Sequence, residues 1–329
     1  MKKARKWVAI TACAIGLTGV SWAQQEGAIP KGFEWAEAEA DHTDLFFNGR
    51  RAIRYMHPTL DGSSKKSRQA TYKPFHMVYD WEGRDVITKG VGGKFTHHRG
   101  IYYGFSKTKY KDVDGKARVA DTWHCGGRAY QSHEEVLQQR ASMTEAVQTV
   151  RIDWHGVDGS VIAIEERRLA FSYAGDDLVV DFNSRLTPKV ADFVVDGDPQ
   201  HAGFQYRAHN DVSEKYSGQT YYIRPKTGKA APGATINWSG KNDTEATRDL
   251  PWKAMSYQLG DARYSVLYLD RPTNPKPARF SERNYGRFGS YFVAGITAEE
   301  PLDVTYRLVI RKGEYTPQEC EKISQSYLR

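Results

Sequence analysis

Residues 302–313 read LDVTYRLVIRKG, with Val304, Tyr306, Leu308 and Ile310 alternating against Thr305, Arg307 and Arg311. A helix would group residues three and four apart, so this period of two predicts a strand with one face in a core and one in water. SVIAIEERRLAF, DDLVVDFNSRL, QTYYIRP and RYSVLYLDRP behave alike, each bounded by Gly, Asp, Asn or Pro turn residues. Helix signals are few. The best is YTPQECEKISQSYL, where Thr316 as N-cap, Pro317 in the first turn and Glu319 three residues after the cap form a capping box. There is no internal repeat and no dividing linker, and the polar stretches near residues 60–70 and 226–248 read as loops. The expectation is an all-β protein, a large antiparallel β-sandwich with a short C-terminal helix.

The chain of 329 residues opens with a basic cluster, a short apolar run and the small-x-small ending Ser21-Trp22-Ala23. That pattern predicts a secretory signal peptide over residues 1–23, a single sandwich domain over 24–329, and a periplasmic or secreted location. No segment reaches the roughly 20 apolar residues of a membrane helix, so membrane insertion is not expected. The formal net charge of +7 is partly the leader's. Lys2, Lys3, Arg5 and Lys6 lie in it, which leaves 43 basic residues against 40 acidic ones. So small an excess points to no nucleic-acid partner. After cleavage only Cys125 and Cys320 remain, enough for one disulfide but not for a disulfide scaffold.

Three groups of residues have the chemistry of a site. In GGKFTHHRGIYYGF, residues 92–105, an extended chain would put His97, Arg99, Ile101 and Tyr103 on one face and His98 and Tyr102 on the other. The adjacent histidines would then not share a ligand. His124 follows Trp123 in DTWHCGG, and His201 and His209 sit in DGDPQHAGFQYRAHN. Neutral imidazoles relay protons or bind metals, but the spacings match no zinc signature. In ARFSERNYGRFGSYF an extended chain would align Arg279, Arg283, Tyr285 and Arg287, with Glu282 opposite. A row of guanidiniums suits carboxylate or sulfate, and a phenol among cations suits proton transfer, although a solvated edge strand would look the same. Asp121, Asp198, Glu282 and Asp270 are the candidate carboxylates for acid and base work. No G-x-S-x-G elbow, cysteine nucleophile signature or phosphate loop is present.

The segments YKPFHMVYDWEGRDVITKGVGGKFTHHRGIYYGF, ADTWHCGG, DGDPQHAGFQYRAHNDV, LPWKAMSY and YLDRPTNPKPARFSERNYGRFGSYF, in that order, resemble a family of exported bacterial proteins labelled PmoA, after a methane mono-oxygenase subunit. The likeness runs from about residue 45 to 315. That subunit is an integral membrane protein and this chain has no spanning run, so the family is carried over without the oxygenase activity. The resemblance implies a β-sandwich, the large two-sheet kind of sugar mutarotases and some polysaccharide lyases included, and a carbohydrate substrate.

By motif it gives a candidate site of His97, His98, Arg99, Trp123, His124, Asp198, His201, Arg207, Asn210, Arg279, Arg283, Tyr285 and Arg287. From side-chain chemistry, His97, His98, His124, His201 and Tyr285 are the expected proton-transfer residues, and the others hold substrate. The expected function is an exported enzyme cleaving glycosidic bonds by hydrolysis or by β-elimination at a uronate. A glycan-binding protein and a histidine-ligated metal oxidoreductase are the alternatives. The sequence requires no cofactor, leaves a divalent metal open, and sets no oligomeric state.

Overall fold

The computed structural model describes residues 32–236, 244 and 246–329. The expected signal peptide lies outside the described residues. Every strand pairing is antiparallel. Eight strands form one sheet, in the spatial order Phe33–Trp35, His42–Phe47, Arg50–Met56, Phe75–Val78, Ile101–Phe105, Ala202–Arg207, Arg287–Tyr291 and Arg279–Arg283. A nine-stranded sheet runs from Gly228–Lys229 through Tyr221–Arg224, Trp252–Leu259, Ala262–Asp270, Leu302–Lys312, Asp177–Pro188, Val161–Ala174 and Glu145–His155 to Tyr130–Ala141. A four-stranded sheet, ordered Ala294–Ile296, Ala191–Asp196, Lys107–Lys111 and Ala117–Ala120, completes the all-β architecture.

The two large sheets face each other across one aromatic-rich core. Phe204 of the first stacks on Phe182 of the second at 4.2 Å, and Phe288 meets Tyr268 at 5.7 Å. The strand Leu302–Lys312 shows how the alternation is used. Val304, Tyr306, Leu308 and Ile310 enter this core, while Arg307 and Arg311 on the other face form two-bond ion pairs with Asp181 and Asp177. Val309 breaks the polar face because the helix Pro317–Leu328 covers it, forming a second apolar layer with Trp252, Tyr315, Cys320 and Tyr327. The capping box is present: the Thr316 hydroxyl accepts from the Glu319 N–H, and the Glu319 carboxylate accepts from the Thr316 N–H.

Three expectations need correction. Residues 65–71, read as loop, form a helix N-capped by Ser64, which accepts from the Ser67 N–H. It buries no residue, so no apolar period could announce it. Cys125 and Cys320 are buried and free, so the allowed disulfide does not form. Residues 279–291 are not one extended strand but a hairpin, Arg279–Arg283 returning as Arg287–Tyr291. Its three-residue turn ends on Gly286 at φ +77°, the left-handed position that such loops require.

Candidate functional site

The site lies at the strand ends of the eight-stranded sheet, where three turns converge. Two are copies of one unit, Asp-x-x-His. In Asp121-Thr122-Trp123-His124, one Asp121 oxygen accepts the N–H groups of Trp123 (3.0 Å) and His124 (2.7 Å), and the other takes His124 Nδ1 at 2.8 Å. In Asp198-Pro199-Gln200-His201, Asp198 accepts the Gln200 N–H at 2.8 Å and meets His201 Nδ1 at 3.1 Å. Asp is suited to this because its short side chain closes the turn on its own backbone. With Nδ1 engaged, each imidazole keeps Nε2 for other work.

The third turn carries the histidine pair. Residues 91–100 are turn and bend, so the expected strand alternation does not apply and the strand starts only at Ile101. The His98 N–H donates to the Phe95 carbonyl, and the two imidazoles lie edge to face at 4.5 Å. His97 reaches His124 at 4.6 Å and His201 at 5.5 Å between ring centres, and His124 lies 4.6 Å from His201. His98 turns the other way, stacking on Phe95 (4.9 Å) and facing Tyr285 (6.0 Å). His97 Nε2 is buried without a hydrogen-bond partner.

Burial is the first cause that pushes the His97 pKa down, to about 2, with His124, Lys73, His201 and Arg207 adding to it. His201 is also lowered by burial, against the raising effect of Asp198. His98 lies well below its ordinary range through burial and the charge of Arg207. All three are therefore neutral imidazoles. For Asp198 burial acts upward and is the largest single influence, but the bond to His201, its charge, the Gln200 N–H and Arg287 together outweigh it and the carboxyl is lowered.

Beside the histidines runs a row of guanidiniums. The expected row along one strand is instead a row across three, because Arg207 pairs with Arg287 and Arg287 with Arg283 in register. Like charges set directly opposite are unfavourable, and here two of the three are also buried, Arg207 at 1% exposure and Arg287 at 0%. Arg207 gives Nη2 to the Gln200 carbonyl (2.7 Å) and lies 5.3 Å over the Trp123 ring, while its Nε and Nη1 find no partner. Arg287 reaches the Pro199 carbonyl and the Ser281 hydroxyl, and its Nε is likewise unpartnered. Among the described residues neither forms an ion pair. Burial lowers the pKa of both, most strongly for Arg207. Tyr285, in the hairpin turn, packs on Phe95 at 4.6 Å next to Arg287.

The profile of a family of unknown function, DUF6807, matches residues 42–325 and so spans all of these groups. The chain belongs to this family. No curated protein matches the DUF6807 chain significantly. Among solved structures it is similar to a galactose mutarotase related enzyme from Lactobacillus acidophilus, with 8% identity over 86% of this chain and 99% of that one and a TM-score of 0.40. It is also similar to a candidate aldose 1-epimerase from Escherichia coli K12, with 10% identity over 86% and 100% of the two chains and a TM-score of 0.35. No described helix is long and apolar enough to cross a membrane.

Of the expected site residues, His97, His98, Trp123, His124, Asp198, His201, Arg207, Arg283, Tyr285 and Arg287 come together. Trp123 does so as a floor, 1% exposed beneath Arg207, not as a sugar-stacking face. Arg99 is spent on architecture: its guanidinium donates to the carbonyls of Thr96, His98 and Gln69 and ties the histidine turn to the helix Lys65–Thr71. Arg279 pairs with Tyr291 at the far end of the hairpin, about 13 Å along the strand from Arg283. Asn210 opens the helix Asn210–Glu214 and packs against Gly93, its Oδ1 buried without a partner. Glu282 and Asp270 are committed elsewhere, to Arg224 and Lys253 and to Lys276.

Sequence reasoning missed Lys73, whose buried ammonium donates to the Trp123 carbonyl and sits 4.0 Å over the Tyr102 ring, with burial pushing its pKa down to about 7. A lysine in the apolar run YKPF was the available signal. A cavity of about 330 Å³ bordered by Gln69, Tyr72 and His124 adjoins the cluster. A larger one of about 870 Å³ lies between the turn at Asp80–Ile87 and Leu259–Tyr264 and is not lined by His97, His124 or His201.

Proposed function

We propose that this protein is an exported enzyme that binds an acidic sugar and cleaves its chain by β-elimination. The observation that carries the reading is the cross-strand pair Arg207 and Arg287, both buried, neither in an ion pair among the described residues, and both with unused N–H groups beside the histidines. Buried charge without a counterion is costly and persists where a ligand supplies the partner. A planar fork of donors matches a carboxylate. Arg283 extends the row toward the surface.

Neutralising a uronate carboxylate acidifies the adjacent C–H. Tyr285 is the proton-transfer group on one side, and the imidazole cluster supplies the second member of the acid–base pair. When the base takes that proton, the C–H electron pair becomes the carbon–carbon double bond. The C–O bond to the next sugar breaks, and the departing oxygen receives a proton from the acid. Hydrolysis by two carboxylates has less support, because Asp121 and Asp198 are each held by a histidine and Glu282 and Asp270 by cations. The sugar class itself comes from the sequence resemblance.

Incubation with a panel of uronate polysaccharides tests this. New reducing ends that carry the ultraviolet absorbance of an unsaturated uronide are expected. Reducing ends without that absorbance would replace elimination by hydrolysis, and no product would leave a glycan-binding protein.

A further inference from the structure

We infer that His97, His124 and His201 form a binding site for one divalent transition-metal ion. One ring nitrogen of each lies within 4.8 Å of the other two. Metal–imidazole bonds of about 2.0–2.1 Å place three such nitrogens somewhat closer, so each ring need only tilt inward. Among the described residues no hydrogen bond joins the three rings to each other, and His97 Nε2 is buried with no partner at all. Neutral nitrogens gathered with their lone pairs unused are a poor arrangement by themselves and a good one around a cation.

The support behind the rings points the same way. Asp121 and Asp198 each engage the Nδ1 of their histidine at 2.8 and 3.1 Å, which fixes the tautomer with Nε2 as the ligand atom. Their two negative charges also balance a 2+ ion in a neighbourhood that otherwise holds Arg207, Arg287 and Lys73. A set of three imidazoles, without thiolate, selects zinc, copper, iron or nickel over magnesium or calcium. Three protein ligands leave a coordination position open, as catalytic and not structural sites do. His124 and His201 are partly exposed, with side-chain exposures of 35% and 25%, so the cluster is open to solvent.

The site stands on this geometry alone; only its part in the chemistry rests on the elimination reading. There, His97, His124 and His201 would act by holding the ion, which would supply an acidified water as the second member of the acid–base pair with Tyr285.

The purified protein, stripped with a chelator and titrated with Co²⁺ and Zn²⁺, tests the site. The wild type should bind one equivalent with a visible ligand-field spectrum for Co²⁺ and a raised melting temperature. His97→Ala, His124→Ala and His201→Ala should each abolish both signals, with far-ultraviolet dichroism unchanged. Asp121→Asn and Asp198→Asn should weaken binding about 10–100-fold. His42→Ala, remote from the cluster, should bind as the wild type does. Less than stoichiometric binding, or binding that survives all three alanine variants, overturns the site. Metal bound with no uronide product would sink the elimination and keep the site, whereas product formed undiminished by metal-free protein would remove the metal from the mechanism.

Discussion

Replacing Arg207 by methionine should leave the unliganded protein about as stable as before, although the residue is 1% exposed. The loss comprises a charged hydrogen bond to the Gln200 carbonyl, about 1.5–3 kcal/mol, and a cation–π contact with Trp123 of up to about 2 kcal/mol. Against it stands relief of two buried unpartnered N–H groups, about 1–3 kcal/mol each, together with the repulsion from Arg287 directly opposite. The two sides are of the same size, a few kcal/mol each, so the net change is expected to be small. Arg167, also 1% exposed, is the control, because it is held by both oxygens of Glu165 at 2.8 Å. Arg167→Met leaves a buried carboxylate uncompensated and should cost about 3–5 kcal/mol. At roughly 2 °C per kcal/mol for a domain of this size, Arg167→Met should melt about 6–10 °C lower and Arg207→Met within about 2 °C of the wild type. Glucuronate oligomers should raise the melting temperature of the wild type and not that of Arg207→Met. A fall for Arg207→Met as deep as for Arg167→Met would refute the argument, since the guanidinium would then be a structural tie and not an open anion site.

Tyr285→Phe should lower kcat on the uronide substrate by about 10²–10⁴ with KM little changed, as read from initial rates. Gly93→Ala should destabilise the fold and lower activity, because the residue has φ +68° and a Cβ would sit 2.2 Å from Asn210 Oδ1. Gly92→Ala, at φ +81° with nothing within 4 Å, should carry only the backbone cost of about 1–2 kcal/mol, a contrast that thermal melts resolve. Lys73 has a folded pKa of about 7 against 10.5 ordinarily, so between these values the unfolded chain holds a proton that the folded chain has released. Stability should therefore rise with pH above 7, by roughly 1 kcal/mol per unit from this group, and urea midpoints of Lys73→Met should lose that slope between pH 7 and 9.

The architecture was legible because a sheet buried on one side writes its period into the chain. Val304, Tyr306, Leu308 and Ile310 could be assigned to a core without knowing what faced them. Val309 could not, since its burial depends on a helix that follows it in sequence. The helix Lys65–Thr71 is invisible for the complementary reason: it buries no residue, and it is held by a cap and by polar ties, Arg99 to the Gln69 carbonyl, Arg68 to the Ala129 carbonyl and Gln69 to the Thr96 hydroxyl. The hairpin at Arg283–Arg287 has a local signal in the sequence. Asn284-Tyr285-Gly286 is a turn signal, and giving it precedence over the run of arginines would have put Arg283 opposite Arg287.

For the site, residue types were legible and their division of labour was not. Arg99 and Arg207 look equivalent in sequence, and both are buried over aromatic rings. They differ in what their N–H groups meet: backbone carbonyls from a turn and a helix for Arg99, and largely nothing for Arg207. That difference is set by strand register between segments some eighty residues apart, which no local pattern encodes. One local pattern is shared by two of the site's turns. The repeated Asp-x-x-His at 121–124 and 198–201 is a turn in which the carboxylate shapes the backbone and fixes the imidazole together, so each unit presents Nε2 whatever the rest of the fold does. Two such units brought together by adjacent elements make a pair of preset ligands, and a single further histidine from a third turn completes the set. Sequence therefore specifies how His124 and His201 are held, while register specifies that they meet His97 beside arginines without an ion-pair partner among the described residues.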